Sequence, residues 1–317
     1  MGVFVVQSLT RVTKLSKPVI SVGNLTMGGA GKTPLVELIM KHVLSKSRQP
    51  ATLLRGYMPQ GGQGRADRSD EVMMLSQKFP QTPILVGANR VMSAQNFLKN
   101  NNVDVFILDD GFQQWKLFRD LNILVIDATN PWGNGHLIPR GILREPLSAM
   151  KRAHMIVLTK TDVGQKNVAM IKQTIGRFNP KIPVVESIHA PSQFRNLLSD
   201  QTFDLSFIKD KEICYFCGIA APSSLAYTLK NLNSQISGEF IFDDHHTYSS
   251  QDIQMIQDHC RAHAIDLIVT TEKDAVKLQP FITKWDKRLT LVSLKMAIAI
   301  TQGKEVFFER IDSVLHR

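Results

Sequence analysis

Cysteine is scarce in this chain, and long hydrophobic runs are missing. The 317 residues include three cysteines, Cys214, Cys217 and Cys260. So few cysteines argue against a disulfide scaffold and fit a reducing compartment. A membrane-spanning helix needs about 18 or more consecutive apolar residues, and no run approaches that length. The sequence therefore predicts a protein held together by hydrophobic cores, which its 43% hydrophobic content can supply.

Two short patterns are weaker than they first look. The apolar start, Met1–Val6, is too short for a signal peptide and lacks a small-residue cleavage site. The C-x-x-C formed by Cys214 and Cys217 lies in an apolar run that predicts a buried strand, where the two sulfurs point to opposite faces. A zinc site that combines this pair with His259, Cys260 and His263 is disfavoured, because the sequence has no second C-x-x-C and no standard finger spacing.

Acidic residues are outnumbered. The chain has 38 Lys and Arg against 28 Asp and Glu, a formal net charge of +10. This balance suggests an acidic partner, which includes a nucleic acid, an anionic membrane surface or a phosphorylated substrate. No motif of the nucleic-acid-binding kind, with interleaved aromatic residues, occurs, so no nucleic-acid partner is expected.

A glycine-rich run that ends in Gly-Lys-Thr is the most informative segment. Pro18–Val22 predicts a strand and Pro34–Leu44 an amphipathic helix. The turn between them predicts a phosphate-binding loop for a nucleotide such as ATP. Its residues are Thr26, Met27, Gly28, Gly29, Ala30, Gly31, Lys32 and Thr33.

The residue types in this loop suit a nucleotide triphosphate with Mg²⁺. Lys32 would reach the terminal phosphates, and the Thr33 hydroxyl would bind the metal. Thr26 stands where the usual pattern has glycine, but the adjacent Gly28 and Gly29 keep the turn flexible.

An apolar run that ends in two aspartates predicts a second part of the same site. Val105–Leu108 reads as a buried strand that delivers Asp109 to its end, where the carboxylate can hold Mg²⁺ directly or through water. Asp110 is a further candidate. The alternative is an ordinary strand that ends in an Asp-Gly turn.

Two further residues are candidates for acid–base work. Asp70 precedes a helical run and could act as the base that a kinase needs near its acceptor hydroxyl, or could simply cap the helix. His245, in the run Asp243–His246, could be a metal ligand, an acid–base group that meets Asp70 across a cleft, or part of a solvated loop.

Three other segments stand out less. Gly133–Pro146 is a loop punctuated by glycine and proline, and its Arg140 and Arg144 suit phosphate contacts. Thr159–Asp162 is similar to the N-K-x-D motif with which GTPases read guanine, and Thr271–Asp274 follows another strand in the same way. Such short patterns recur by chance.

Strand-like and helical patterns alternate along the chain. This alternation predicts an α/β fold with a mostly parallel sheet and helices on both faces, and ligands at the carboxyl ends of the strands. The polar stretch Ser192–Phe207 predicts a join, so we expect a core domain over residues 1–198 and a smaller α/β domain over 199–317.

Taken together, eight segments resemble the tetraacyldisaccharide 4'-kinase family, the lipid A 4'-kinases of Gram-negative bacteria. They occur in family order from about Val19 to Lys277: VGNLTMGGAGKTP, LRGY, the Asp70-Glu71 pair, DDGFQ, GNGHLIPRGILREP, GIAAP, DHH and TEKDAVK. The family's own loop also carries threonine at the position of Thr26.

The resemblance implies a P-loop NTPase-type α/β/α sandwich with a second, smaller α/β/α domain closing the cleft. It implies transfer of the ATP γ-phosphoryl group, with Mg²⁺, to the 4'-hydroxyl of tetraacyldisaccharide 1-phosphate, which gives lipid IVA. Asp70 matches the family's base and His245 its partner. Lys32 and Asp110 match other catalytic positions, and Arg90, Gln113 and Arg144 match positions that bind substrate.

The chain departs from the family in two places. Gln114 stands where the family usually has histidine, and only Met1–Thr10 precede the basic segment, where the family usually has a hydrophobic anchor helix. We therefore expect a monomer in peripheral contact with the cytoplasmic face of the bacterial inner membrane, through basic and exposed apolar residues.

Overall fold

The computed structural model describes residues 12–55, 70–219, 221–244 and 246–316, without the side chains of Asp70 and Glu71. These residues form two compact units. The first lies within Met1–His189 and Ile298–Arg317, and the second is Ala190–Ala297. The division differs from the expected 1–198 and 199–317, because the last segment of the chain returns to the first unit.

The first unit is built on a parallel sheet whose strands follow the order β7-β6-β5-β1-β4-β2-β3. Its strands and helices, in chain order, are β1 Val19–Asn24, α1 Lys32–Ser45, β2 Pro50–Leu54, α2 Asp70–Lys78, β3 Ile84–Val86, α3 Arg90–Leu98, β4 Val105–Asp109, β5 Leu121–Asp127, β6 Met155–Thr159, α4 Gln165–Phe178 and the start of β7 Val184–Asn196.

Side chains of the first sheet alternate between two layers of core. In β1, Ile20 and Val22 pack with the apolar face of α1, whereas Val19 packs with a different cluster on the opposite face. β1 lies between β4 and β5, which places the carboxyl ends of these three strands next to one another. The predicted parallel sheet with its phosphate loop at a strand end is confirmed.

The end of the chain completes the first core. Strand β12, Thr290–Gln302, leads into helix α8, Lys304–Leu315. Phe307, Ile311 and Val314 of this helix are buried in the same cluster as the apolar residues of α1. This packing explains why residues from Ile298 onwards belong to the first unit.

The second unit has its own parallel sheet, with strand order β10-β9-β11-β12. Cys214 and Cys217 lie on β9 and enter two different apolar clusters, so their side chains point to opposite faces as predicted. The remaining elements of this unit are β8 Thr202–Phe203, β9 Glu212–Cys217, α5 Pro222–Asn231, β10 Gln235–Ile241, α6 Ser250–Ala262, β11 Leu267–Thr271 and α7 Glu272–Ala275.

The chain passes between the units inside strands. β7 runs from Val184 to Asn196 and β12 from Thr290 to Gln302, so each strand contains a boundary residue of the division. The polar stretch that predicted a join at Ser192–Phe207 is thus partly strand.

Within the part of the chain that the structure describes, no helix has the length and apolar character to span a bilayer.

Candidate active site

The glycine-rich run forms a phosphate-binding loop between β1 and α1. Gly28 and Gly31 adopt positive φ angles of 105° and 83°, a region that favours glycine. A β-carbon at Gly31 would lie 2.5 Å from Nε2 of His189, so side chains are excluded there. Met27, Gly28 and Gly29 are exposed at the start of the loop. The loop therefore presents backbone N–H groups at a helix N-terminus, as an anion site requires.

Lys32, the first residue of α1, contacts side-chain oxygens of Asn24 and Asp110. Its Nζ donates to Oδ1 of Asn24 at 3.1 Å and lies 3.5 Å from Oδ1 of Asp110. The side chain is mostly but not fully buried, with 18% exposed. Lys32 is thus held at the loop by one neutral and one charged acceptor.

Asp110 follows β4 in a left-handed backbone conformation, with a φ of 52°. Arg144 donates to both of its carboxylate oxygens at 2.9 Å. Burial raises the pKa of Asp110, but the hydrogen bond from Arg144 and the charge of Lys32 outweigh it, so this pKa lies below its usual value. Asp110 is therefore ionised and lies between two cations. Its bidentate pair with Arg144 favours the ionised form.

Asp109 is the last residue of β4 and is 5% exposed. The sheet register pairs it with Val22 of β1, close to the start of the loop. One carboxylate oxygen accepts the backbone N–H of Asp110 at 2.8 Å. Thr33 lies in the first turn of α1, at the end of the same loop. The Thr33 hydroxyl and the carboxylates of Asp109 and Asp110 are hard oxygen donors, the type that Mg²⁺ prefers, so these residues fit that ion.

Asn24 is a site residue that the sequence analysis missed. It ends β1, is 1% exposed, and its Oδ1 accepts hydrogen bonds from both Lys32 and Arg144. Its Nδ2 donates to the backbone oxygen of Thr26 at 2.9 Å. A single neutral amide therefore joins the strand, the loop and two cations. The available signal was a polar residue that closes an otherwise apolar strand.

Gln113 and Glu145 extend this network. Nε2 of Gln113 donates to the backbone oxygen of Asn24 and to Oε1 of Glu145, both at 3.0 Å. Glu145 is 2% exposed and forms an ion pair with Arg152 at 2.7 Å. The sequence analysis predicted Gln113 but neither Glu145 nor Arg152, whose contacts with Gln113 and Phe112 cross more than 30 positions of the chain.

The segment that contains Arg144 is bound to the phosphate loop through its backbone. The N–H of Met27 donates to the oxygen of Ile142 at 2.7 Å, and the N–H of Arg144 donates to the oxygen of Leu25 at the same distance. Thr26 and Leu143 form an isolated antiparallel bridge. These backbone contacts hold the end of the Gly133–Pro146 segment, and with it Arg144, against the phosphate loop.

Arg90 begins α3, which is capped by the side chain of Asn89. It is 7% exposed. Burial and the charge of Arg55 lower the pKa of Arg90, whereas Asp110 and Asp109 oppose this shift. The guanidinium therefore shares the electrostatic environment of the two predicted metal-site carboxylates, and it stays charged at any physiological pH.

Asp70 and His245 are not brought together by any described contact. Asp70 is the first residue of α2, but its side chain lies outside the description, and so does His245 as a whole. Their predicted base-and-partner roles remain predictions. Gln114, the departure from the family pattern, lies in the turn after β4, where its N–H donates to the oxygen of Gly111 at 3.0 Å.

The two motifs similar to the guanine-reading pattern lie in different settings. Thr159 ends β6 beside the phosphate loop, and its hydroxyl donates to the backbone oxygen of Ala30 at 2.9 Å. In the second unit, Thr271 caps the short helix α7, and the buried Asp274 accepts the N–H of Gly218 at 3.1 Å. The second motif is thus explained by local capping.

Among the described residues, no cluster of three or more His, Cys, Asp or Glu could hold a metal.

Comparisons with known proteins agree with this geometry. The family model described as LpxK, tetraacyldisaccharide-1-P 4'-kinase, matches residues 3–316. A tetraacyldisaccharide 4'-kinase from Syntrophus aciditrophicus is 32% identical over 96% of this chain and 86% of its own length. A protein of the same name from Syntrophobacter fumaroxidans is 36% identical over 88% of this chain and 76% of its own.

A solved structure has the same fold over nearly the whole chain. It is the crystal structure of LpxK from Aquifex aeolicus in complex with ATP, with a TM-score of 0.74 and 25% sequence identity. The similarity covers 99% of this chain and 93% of that one.

Proposed function

The chain belongs to the tetraacyldisaccharide-1-P 4'-kinase family, and we propose that its phosphate loop, Asp110 and Arg144 serve phosphoryl transfer to the 4'-hydroxyl of a tetraacyldisaccharide 1-phosphate. It is an ATP-dependent kinase of lipid A biosynthesis. The observation that carries the assignment of residues is the cluster of Lys32, Asn24, Asp110 and Arg144 at the loop.

The loop residues Thr26 to Thr33 bind the phosphates of ATP. Backbone N–H groups at the start of α1 face an anion there, and Lys32 can exchange its contacts with Asn24 and Asp110 for the terminal phosphates. Because Asn24 is neutral, only one of the two contacts that Lys32 gives up is an ion pair.

Thr33 and Asp109 are the residues that would hold Mg²⁺, with Asp110 beside them. When bound, the ion neutralises negative charge on the phosphates. Arg144 stays close to the transferred group because two hydrogen bonds fix it to Asp110. Such prearranged charges stabilise the transition state without a reorganisation cost at the moment of reaction.

We assign activation of the acceptor hydroxyl to Asp70, with His245 as its partner. Asp70 would take the proton of the 4'-hydroxyl while that oxygen forms a bond to the γ-phosphorus and ADP leaves. Arg90, Gln113 and Arg144 are proposed to contact substrate, since Arg90 and Arg144 bring positive charge to the site. The second unit, as the smaller domain, is proposed to close over the reaction.

The substrate is a lipid, so the protein must reach a membrane surface. The net charge of +10 supports peripheral contact with the anionic inner leaflet at the cytoplasmic face. We propose that the protein acts there as a monomer.

Transfer of labelled γ-phosphate from ATP to tetraacyldisaccharide 1-phosphate in detergent tests the function. We expect lipid IVA from the unaltered chain and loss of product with Lys32→Ala and with Asp70→Ala. Lys41→Ala, an exposed lysine on the same helix as Lys32, is the matched control and should keep activity. Absence of product from a folded, ATP-binding chain would contradict the proposal, and activity in Asp70→Ala would contradict the role of that base.

A further inference from the structure

The turn that follows β4 carries three of the proposed site residues. Asp109 ends the strand, Asp110 begins the turn, and Gln113 lies within it. Asp110 has a left-handed backbone, with a φ of 52°, which is uncommon for a residue other than glycine. Such a conformation persists only where the surrounding structure fixes it. The contacts of this turn therefore decide where the carboxylates of Asp109 and Asp110 lie.

Strand β1 fixes the turn on one side. The N–H of Gly111 donates to the backbone oxygen of Val22 at 3.0 Å. A β-carbon at Gly23 would lie 2.4 Å from the nitrogen of Phe112, so the turn and the strand approach each other as closely as glycine allows. Because no space is left between them, a displaced turn would have to move away from β1.

Arg119 contacts the turn at its carbonyl oxygens. Its Nη1 donates to the oxygen of Gly111 at 3.2 Å and to the oxygen of Phe112 at 3.0 Å. Burial and the charge of Arg152 lower the pKa of Arg119 to about 10, so the guanidinium is charged at neutral pH. Hydrogen bonds from a charged donor are stronger than those between neutral groups. Arg119 therefore resists a change in the path of the turn.

Arg152 contacts the same turn less directly. Its Nη2 lies 3.4 Å from the oxygen of Phe112, and its guanidinium lies 4.7 Å from the centre of the Phe112 ring. The same side chain forms the ion pair with Glu145, so its loss would disturb two places at once. Both hydrogen bonds described for Arg119 go to the turn, which makes Arg119 the sharper probe of how the turn is held.

We propose that Arg119 is a positioning residue for the metal site. By holding the carbonyl oxygens of Gly111 and Phe112, it keeps the carboxylates of Asp109 and Asp110 at the phosphate loop. The inference rests on the proposed function for the use of Mg²⁺, and it requires no contact between Arg119 and a substrate.

Loss of Arg119 should affect ATP differently with and without Mg²⁺. The metal needs the carboxylates in place, so a displaced turn weakens binding of ATP with Mg²⁺. Without the metal, the phosphates depend on Lys32 and on the backbone N–H groups of the loop. Asp110 competes with the phosphates for Lys32, so its displacement does not weaken that binding.

Calorimetric titration of the full chain with ATP, once with Mg²⁺ and once with EDTA, tests the inference. Arg119→Met keeps most of the carbon chain and removes the donors. We expect it to bind ATP about tenfold more weakly with Mg²⁺, the lower end of the loss seen when supporting contacts of a metal site are removed. Its affinity for ATP in EDTA should match that of the unaltered chain. Arg177→Met, exposed on α4, is the control of equal charge change.

Three results would overturn the inference. The first is an unchanged affinity for ATP with Mg²⁺ in Arg119→Met. The second is an equal loss with Mg²⁺ and with EDTA, since that would mean a damaged phosphate loop. If a thermal melt shows that Arg119→Met does not fold, Arg119→Lys takes its place, because it keeps the charge but not the planar set of donors. An unchanged affinity for ATP with Mg²⁺ in Arg119→Lys is the third result.

Phosphate transfer by the unaltered chain, measured in the same preparation, tests the proposed function separately. Its absence would contradict the proposed function. Transfer by the unaltered chain together with unchanged binding in Arg119→Met would contradict only the role of Arg119.

Discussion

At the scale of single residues, the site depends on one neutral side chain between two cations. Asn24 accepts hydrogen bonds from Lys32 and Arg144 and donates one to Thr26. A carboxylate at this position would hold both cations more tightly, since hydrogen bonds between two charged groups are stronger than those to an amide. A neutral acceptor positions Lys32 and still lets it move to a phosphate.

We therefore expect Asn24→Asp to weaken ATP binding by about tenfold or more while the protein stays folded, because Lys32 must leave an ion pair to reach the nucleotide. Calorimetric titration with ATP and a thermal melt of the same sample would measure both effects. Asn122→Asp is the matched control, since Asn122 is also 1% exposed but lies at the amino-terminal end of β5, away from the carboxyl ends of the strands that carry the site. Equal loss of ATP affinity in the two variants would count against the role of Asn24.

The ion pair between Glu145 and Arg152 gives a second prediction at this scale. Arg152→Met should lower the free energy of unfolding by about 3 kcal/mol, because it leaves the buried Glu145 carboxylate without its cation. Adding Glu145→Gln should restore part of the loss. Denaturant titration measures both, and the exposed Arg177→Met is the control. A double variant as unstable as the single one would mean that the charge pair is not the cause.

Site residues could be predicted from the sequence where their signal is local. The loop from Thr26 to Thr33 and the pair Asp109-Asp110 are contiguous, so their residue types and spacing suffice. Asn24 was missed although it is a polar residue at the end of an apolar strand, because its two cation partners are Lys32 and the distant Arg144. Glu145 and Arg152 are seven positions apart, but only the fold brings them to Gln113 and Phe112. No property of a single segment indicates which arginine will reach which carboxylate.

At the scale of elements, a charged contact joins helix α8 to α1, the helix that follows the phosphate loop. Nε2 of His42 on α1 lies 2.7 Å from Oδ1 of Asp312 on α8, and Lys46 lies 3.6 Å from the other oxygen. Burial raises the pKa of Asp312, but His42 and Lys46 outweigh it and bring this pKa below its usual value. A lowered carboxyl pKa means that the contact stabilises the folded protein when Asp312 is ionised.

This contact predicts a pH-dependent stability. Asp312→Asn should lower the free energy of unfolding by about 0.5–1 kcal/mol at neutral pH. The difference from the unaltered chain should shrink as the pH falls below about 4, the unfolded carboxyl value, and vanish once Asp312 is protonated in the folded state. Denaturant titrations at several pH values would test it, with Glu309→Gln, exposed on the same helix, as control. A difference that persists at acid pH would contradict the assignment to the charge of Asp312.

Elements were predictable where their apolar pattern was strong. Buried strands such as β1, β4 and β9 lie within a few residues of their expected positions. Strand β7 was not predicted, because buried and half-buried polar residues interrupt its apolar pattern. Helix α4 was missed although Val168, Ile171, Ile175 and Phe178 recur at helical spacing. The end of the chain was assigned to the smaller domain because it follows that domain in sequence, but the partner of α8 is α1.

At the scale of the whole molecule, the two units differ in how they use the chain. The second unit is one continuous stretch, Ala190–Ala297, with apolar clusters that lie wholly inside it. The first unit is discontinuous, since Ile298, Phe307, Ile311 and Val314 complete a core whose other buried residues precede His189.

Fragments cut at the boundaries of the two units should differ in whether they fold alone. We expect residues 190–297 to fold alone with a cooperative thermal transition, and residues 1–189 to fail because part of their core is missing. Circular dichroism of each fragment during heating measures the result. The fragment 199–317 serves as comparison, since it lacks Phe194 of the second core and carries α8 without its partner. Cooperative unfolding of 1–189 by itself would contradict the dependence on α8.

The net charge predicts behaviour at a membrane surface. We expect the full chain to sediment with vesicles that contain anionic lipid and to release as salt rises, because salt screens charges over about 10 Å at 0.1 M. Zwitterionic vesicles are the control. Equal binding to anionic and zwitterionic vesicles, or binding that does not change with salt, would show that the peripheral contact does not depend on charge.

The late position of α8 in the chain also affects how the protein is made. The ribosome releases the strands of the first unit early and the whole second unit next, before Phe307, Ile311 and Val314 emerge. Domains generally fold as units during synthesis. The nascent chain therefore passes through a stage in which the second unit can fold while the first still exposes apolar surface along α1, and that surface is where we expect a chaperone to bind.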